Sequence, residues 1–301
     1  MRFVSRIVSS ATVAVGLLAA LPAIAAQPEI PKQEADPALN AMLPDPIKEA
    51  GVLKLATDAN YPPCQWYLED GKTMVGYEVD IWDALAQKLG VDLEVSSIDF
   101  GGLLPGVIGG RYDVAMECIT DRVEREEQVM FVNHSYDYGN AFFYLTSTEG
   151  IESGDVLSLC GKRTAGQTGT DFVDKLEAFG RYCEENGKPT VEVSQYPTGA
   201  AVLLALFAGR IDFALTEASR VEEVRANNPV DLGTIKNPLE KQSYLGIVVA
   251  KDNQQLADAL LAALVAIQDN GTYDLIMDKW NLGHAKLKPP GINLTTTRPI
   301  N

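Results

Sequence analysis

Arg125, Thr120, Thr170 and Glu217 are the residues of this chain best typed and placed to grip a small dipolar molecule. A planar guanidinium can hold a carboxylate through two parallel N–H bonds. Asp121-Arg122-Val123-Glu124 has the acid-x-x-Glu form of a capping box, which predicts a short helix opening after Asp121. Arg125 then lies on the first turn of that helix, with Thr120 at its cap. Gly169-Thr170 opens a second helix, expected over Asp171–Phe179, and helix N-termini add N–H donors for an anion. Glu217 ends an apolar run and offers an anion for an ammonium group. The chemistry is non-covalent recognition of a zwitterion. The two histidines, His134 and His284, stand beside no Ser, Cys or carboxylate pattern that would make a nucleophilic triad. No CxxC pair or Cys/His cluster has metal-ligand spacing, so neither a metal nor an organic cofactor is expected.

Such groups need rigid elements to hold them, and the chain supplies two copies of one unit. Leu103–Met116 reads LLPGVIGGRYDVAM and Leu203–Leu215 reads LLALFAGRIDFAL. Each is a short apolar helix, a Gly-Arg, an Asp and a strand-like run. The first runs into Glu117-Cys118-Ile119-Thr120-Asp121 and the second into Thr216-Glu217. Ligands of open α/β sheets bind beyond the carboxyl ends of strands. Two such units facing each other predict an α/β protein of two lobes with a cleft between them.

Alternating apolar and polar residues predict a strand at Val52–Thr57, and Val91–Val95, Ala141–Thr146, Arg163–Ala165 and Tyr244–Ala250 are read as further strands. Helical spacing covers Val79–Leu89, closed by Gly90, and Leu256–Trp280, broken near Asn270-Gly271. This order suggests a discontinuous first lobe, 48–146 plus 245–301, and an inserted second lobe, 147–244, joined by two crossings that act as a hinge. Five prolines between Gln27 and Pro46 make residues 26–47 an expected extended leader, and the tail from Lys286, with Pro289-Pro290-Gly291, reads as loop.

Arg2 and Arg6, the apolar run Ile7–Ile24 and the small-x-small Ala23-Ile24-Ala25 read as a cleavable signal peptide over residues 1–25. The mature chain is then expected in the periplasm without membrane insertion. A net charge of −16, from 25 basic and 41 acidic residues, repels nucleic acid and anionic membranes. Export permits disulfides. Cys160 and Cys183 flank one predicted helix and are the favoured pair. Cys64 and Cys118 end two strands expected to be neighbours; a bond and two isolated thiols both fit there.

Several segments together resemble the family 3 extracellular solute-binding proteins of ABC transporters. They are VLKLATDANYPPCQW, GYEVDIWDALAQKLG, FGGLLPGVIGGRYDVAMECITDRVEREEQVMFV, the GQTGT turn, GRIDFALTE and NGTYDLIMDKWNLG. The resemblance covers nearly all of the mature chain. It implies a type II periplasmic-binding-protein fold, each lobe a mostly parallel sheet flanked by helices. It also implies capture of an amino acid, a membrane permease as partner and a monomeric protein. By the same resemblance Arg125 grips the ligand α-carboxylate with Thr120 beside it, and Thr170 donates from the second lobe. The Cys118 carbonyl and Glu217 take the α-ammonium, while Tyr61 and Phe100 wall the side chain, with Trp66 a further candidate on the Tyr61 loop. Asp58 matches an acidic position that meets cationic side chains in some members. Glu117 stands where small residues are common, and with Asp58 favours a cationic or amine-bearing ligand; Arg122, turned inward, would argue the reverse. Two rival readings remain: a cyclohexadienyl-dehydratase-like enzyme using cleft carboxylates, and a periplasmic partner protein with no amino-acid role.

Overall fold

Each lobe is built on one sheet, and the chain assembles both in the same strand order. The structure, a computed structural model, describes residues 29–300 apart from 138, 218–220, 222–223, 226–227, 229 and 241. The expected signal peptide lies outside the described residues.

Two short helices come first, α1 (Pro37–Met42) and α2 (Asp45–Ala50). They lead into β1 (Val52–Thr57) and a three-stranded ribbon of β2 (Asn60–Tyr61), β3 (Gln65–Tyr67) and β4 (Met74–Val75). Next are α3 (Tyr77–Leu89), β5 (Asp92–Ser97), α4 (Leu103–Ile108) and β6 (Val114–Ala115). The first lobe's outgoing limb is β7 (Thr120–Asp121), α5 (Val123–Glu126) and β8 (Val129–Tyr136). The second lobe contains β9 (Asn140–Leu145), β10 (Arg163–Gln167), α6 (Asp171–Glu185) and β11 (Glu192–Tyr196). It continues with α7 (Gly199–Phe207), β12 (Phe213–Glu217) and β13 (Leu232–Lys236). The chain returns through β14 (Tyr244–Ala250), α8 (Gln254–Asp269), α9 (Thr272–Lys279), β15 (Lys286–Ile292) and α10 (Leu294–Thr297).

The first sheet runs β15-β8-β14-β6-β1-β5, with β7 beside β14; the second runs β11-β10-β12-β9-β13. β1 is parallel to β5 and β6, and β10 is parallel to β11 and β12. In each lobe an antiparallel strand that has crossed from the other side comes next, β14 on β6 and β9 on β12. The two-lobed α/β fold expected from the doubled motif is therefore present. The repeated Asp has one job in both copies. Asp113 exchanges bonds with the Lys54 backbone of β1, and Asp212 with the Arg163 backbone of β10. Each fixes the start of a strand whose far end reaches the cleft.

The core forms where the periodicity puts it. Tyr77, Ile81, Leu85 and Leu89 of α3 are buried with Leu256, Leu260, Ala263 and Leu264 of α8 behind the first sheet. Each fully buried large aliphatic contributes about 1.5–3 kcal/mol. In the second lobe Phe142, Phe179 and Phe213 meet within 4.5–6.2 Å between centroids. Both cysteine pairs are bonded, Cys64–Cys118 and Cys160–Cys183.

Four expectations change. The leader is helical from Pro37, because prolines at a helix's first turn lose no intrahelical bond; Pro37 and Pro46 sit there, and Asp36 accepts the Ala38 N–H. Leu43 and Ile47 bury themselves in the first lobe's core. The tail from Lys286 is an edge strand on β8, whose register shift between Lys286 and Gly291 accommodates the two prolines. The strand ending near 145 pairs with β12 and β13 of the second sheet, so the first crossing comes before Asn140 rather than at 146. Asp121 does not cap α5: Arg122 holds that place without a side-chain cap, and Asp121 turns instead to Asn133 and Thr295.

Candidate functional site

The carboxyl ends of β1, β6, β10 and β12 point into one interlobe cleft, and the two lobes touch across it. From the first lobe a cavity is lined by Tyr61, Phe100, Glu117, Cys118 and Thr120. From the hinge and second lobe come Asp137, Gln167, Thr170, Asp171 and Phe172. Direct bonds cross from one side to the other. Gln167 Nε2 donates to Asp58 Oδ2 at 2.6 Å, and the Tyr61 and Thr216 hydroxyls lie 3.3 Å apart.

Arg125 sits at one end. Its Nη1 donates to the Thr120 carbonyl at 2.9 Å and its Nη2 to the Gly169 carbonyl of the other lobe at 3.0 Å. Its Cζ lies 5.9 Å from the centre of the Phe100 ring. Burial lowers the guanidinium's pKa, and Asp171 opposes that shift. Thr170 is the N-cap residue of α6, but its hydroxyl donates backward to the Gln167 carbonyl at 2.7 Å, and no side chain caps the helix. The N-terminus of α6 thus begins at the cavity, which Thr170, Asp171 and Phe172 line, next to the Gly169 carbonyl that Arg125 bonds, and a helix N-terminus favours negative charge.

The other end is acidic. Glu117, 3% exposed, lines the cavity. Its Oε2 accepts from the Thr57 hydroxyl at 2.5 Å, from the Asp58 and Ala59 N–H groups at 2.6 and 3.3 Å, and from Gln65 Nε2. Among the described residues its Oε1 has no hydrogen-bond partner. Burial first, then the nearby Asp58 and Glu78 carboxylates, push the Glu117 carboxyl up to about 8.

A buried pair behind the cavity fixes this segment. Both oxygens of Glu78, on the first turn of α3, accept the Cys118 N–H at 2.9 Å. His134 Nε2 lies 3.2 Å from Glu78 Oε1, with both side chains fully buried. Cys118 has φ 46°, a left-handed backbone that is strained for a residue with a Cβ. Its disulfide to Cys64 and its bond to Glu78 hold it there.

At the hinge, Lys175 of α6 reaches Asp171 at 3.1 Å, Asp137 at 3.5 Å and Glu240 at 3.8 Å. Asp137 N–H donates to the Ser243 carbonyl, tying the two crossings together. Burial would raise the Asp171 pKa, but Lys175 and then Arg125 outweigh it and hold it below the usual range.

Six sequence candidates therefore line one cavity: Tyr61, Phe100, Glu117, Cys118, Thr120 and Thr170. Arg125 and Asp58 join it through their bonds to Thr120 and Gln167. Glu217 closes β12 opposite Asn140, and its side chain lies outside the described residues. Trp66 does not belong to the cavity. Neighbouring residues of a strand face opposite ways, so Gln65 turns inward while Trp66 packs edge-on against Trp280 at 5.5 Å. Arg122 also stays out, pairing with Asp174 of the second lobe on the hinge side. Sequence reasoning missed Gln65, Glu78, Asp137, Gln167, Asp171 and Phe172. Alternation in β3 pointed to Gln65, and adjacency to Thr170 pointed to Asp171 and Phe172. No spacing signal links Glu78 or Asp137 to the cleft.

Residues 53–284 match the family described as bacterial extracellular solute-binding proteins, family 3. The chain is 26% identical over 266 residues to the arginine-binding protein ArgT of Corynebacterium glutamicum, covering 88% of this chain and 84% of that protein. It is 26% identical over 236 residues to the L-cystine-binding protein TcyJ of Escherichia coli, covering 78% and 84% respectively. A solved ancestral arginine-binding protein bound to arginine superposes with a TM-score of 0.65 at 28% identity, covering 76% of this chain and 98% of that one.

Proposed function

Because the chain belongs to the bacterial extracellular solute-binding proteins of family 3, we propose that it captures a free amino acid, or a related small amine-carboxylate, between its lobes for import by an ABC transporter. The observation that carries this reading is Arg125, whose guanidinium spans both lobes beside the open N-terminus of α6. A ligand α-carboxylate engaging Arg125, Thr120 and the first N–H groups at Thr170 would bond to both lobes at once. That is the differential contact ligand-driven closure needs. The α-ammonium is assigned to the Cys118 carbonyl and Glu217, with Tyr61, Phe100 and Phe172 enclosing the side chain. Relatives named as arginine-binding and L-cystine-binding proteins support the amino-acid class. The proposal places the mature protein in the periplasm after removal of residues 1–25, as a monomer that docks on a membrane permease. Among the described residues no helix is long and apolar enough to cross a membrane.

Arg125→Ala tests the assignment. Removing one partner of a buried charge-assisted pair costs about 3–5 kcal/mol, so calorimetric binding should weaken at least a hundredfold with the fold intact. A folded variant of unchanged affinity would remove Arg125 from the site. An elimination enzyme on the same scaffold has one observation in its favour. A Glu117 carboxyl pushed up to about 8 by burial is protonated at neutral pH and available as a general acid. Formation of aromatic product from prephenate or arogenate would establish that reading; the proposed binding role predicts none.

A further inference from the structure

We propose that the unpartnered Oε1 of Glu117 is the receptor for a positively charged side-chain group, so that the cleft selects an amino acid ending in a guanidinium or ammonium over its uncharged isostere. The proposal rests on the amino-acid reading above and narrows it to one class.

The cradle around Glu117 is lopsided. Four donors converge on Oε2: the Thr57 hydroxyl, the Asp58 and Ala59 N–H groups and the Gln65 amide. Thr57 donates its hydroxyl proton to Oε2, and its oxygen accepts from Gln65 Nε2 at 2.8 Å. Oε2 is thus held as a pure acceptor. Oε1 is buried, belongs to a residue lining the cavity, and has no partner among the described residues. A buried acceptor left unmade costs about 1–3 kcal/mol, more when charged, and a donor from the ligand removes that cost.

Charge decides which donor. The cavity lining carries three carboxylates, Glu117, Asp137 and Asp171, and no Lys or Arg. Asp137 and Asp171 are neutralised by Lys175, and Asp171 also by Arg125. Around Glu117 the facing groups are Asp58, on the loop after β1, and Glu78 on α3, itself partnered by His134 of β8. The former two are acidic, and Asp58 Oδ2 accepts the Gln167 amide across the cleft. A cation at Oε1 meets an acidic pocket end, whereas a carboxylate there meets repulsion. The two ends of the cleft are thereby distinguished: Arg125 for the anion, Glu117 for the distal cation.

Binding a cation also requires Glu117 ionised. Its carboxyl, pushed up to about 8, releases a proton to solvent when a cation docks at lower pH. The affinity for a cationic ligand should therefore rise with pH up to about 8 and then level.

The experiment compares L-arginine with L-citrulline, its neutral isostere, on the ligand-stripped mature protein between pH 6 and pH 8. Arginine should bind on the order of 10- to 100-fold more tightly, by an amount that grows with pH. Glu117→Gln should shrink that ratio to a few-fold and abolish its pH dependence. Citrulline binding as tightly as arginine to the wild-type protein would overturn the proposal and leave the amino-acid clamp standing. Failure of both, and of every other free amino acid, would overturn the amino-acid reading and this proposal with it. The wild-type comparison needs no variant, so a Glu117→Gln protein that fails to fold does not decide the matter.

Discussion

Two carboxyls of the first lobe are held against their ordinary chemistry, and the consequence is measurable. Asp121 is 2% exposed, and its Oδ2 accepts from Asn133 at 3.0 Å and from the Thr295 N–H at 3.2 Å. Burial, followed by the neighbouring Glu126, raises its pKa to about 7. A carboxyl raised on folding binds its proton more firmly in the native state. Its contribution to stability is complete below the unfolded value near 4 and is lost as pH climbs through the folded value. Asp121 and Glu117 both act in this sense, so the unfolding free energy should fall between pH 5 and pH 8 by an amount on the order of 5 kcal/mol, and the melting temperature with it. Asp171, held low, stays ionised throughout that window. Asp121→Asn should flatten the part of the decline below pH 7; a profile unchanged from the wild type would show that Asp121 ionises freely. Residue positions in the cleft were legible where a motif marks the place. Arg125, Glu117 and Thr170 fall where their motifs put them. Glu78 was not legible, because a carboxylate on the first turn of a helix reads as a dipole partner and only the fold brings the Cys118 N–H against it.

At the scale of elements, the site depends on short, irregular pieces set between regular ones. β7 is two residues long and α5 four, yet they carry Thr120 and Arg125. They are held by β14 on one side and by the tail on the other, where Thr295 and Thr296 bond Asp121 and Glu126. Opposite them, Gly169 turns the chain into α6 with φ 83°, and a Cβ there would stand 3.2 Å from the Gly101 Cα of the other lobe. Gly169→Ala thus adds two costs. The left-handed backbone costs about 1 kcal/mol in any lobe arrangement, while the contact with Gly101 is felt only when the lobes meet. Ligand affinity should fall about five- to tenfold beyond what the lowered melting point accounts for. Unchanged affinity would mean the bound lobes do not approach at Gly101. The long elements were legible from period and caps, including the break at Asn270-Gly271 between α8 and α9. The ends were not: prolines near 37–46 and 289–290 read as extended or loop, although a helix's first turn and a bulged edge strand both accept them.

For the whole molecule, the repeated helix-Gly-Arg-x-Asp-strand unit announced two facing sheets, and the sheets share one strand order. The exact crossing was harder to read. β9 carries an apolar pattern fitting either lobe, and only its pairing with β12 and β13 places it in the second. Two crossings, joined by the Asp137–Ser243 bond and bridged by Lys175, connect the lobes beside the cleft. The central claim is that closure of the lobes is driven by a free amino acid held between Arg125 and the acidic wall. The most direct test is calorimetric titration of the ligand-stripped, folded wild-type protein with a panel of free amino acids, with Arg125→Ala as control. One chemical class should bind at one site per chain, and the variant should lose it. No binding by any amino acid, with the protein shown to be folded and free of co-purified ligand, would contradict the account.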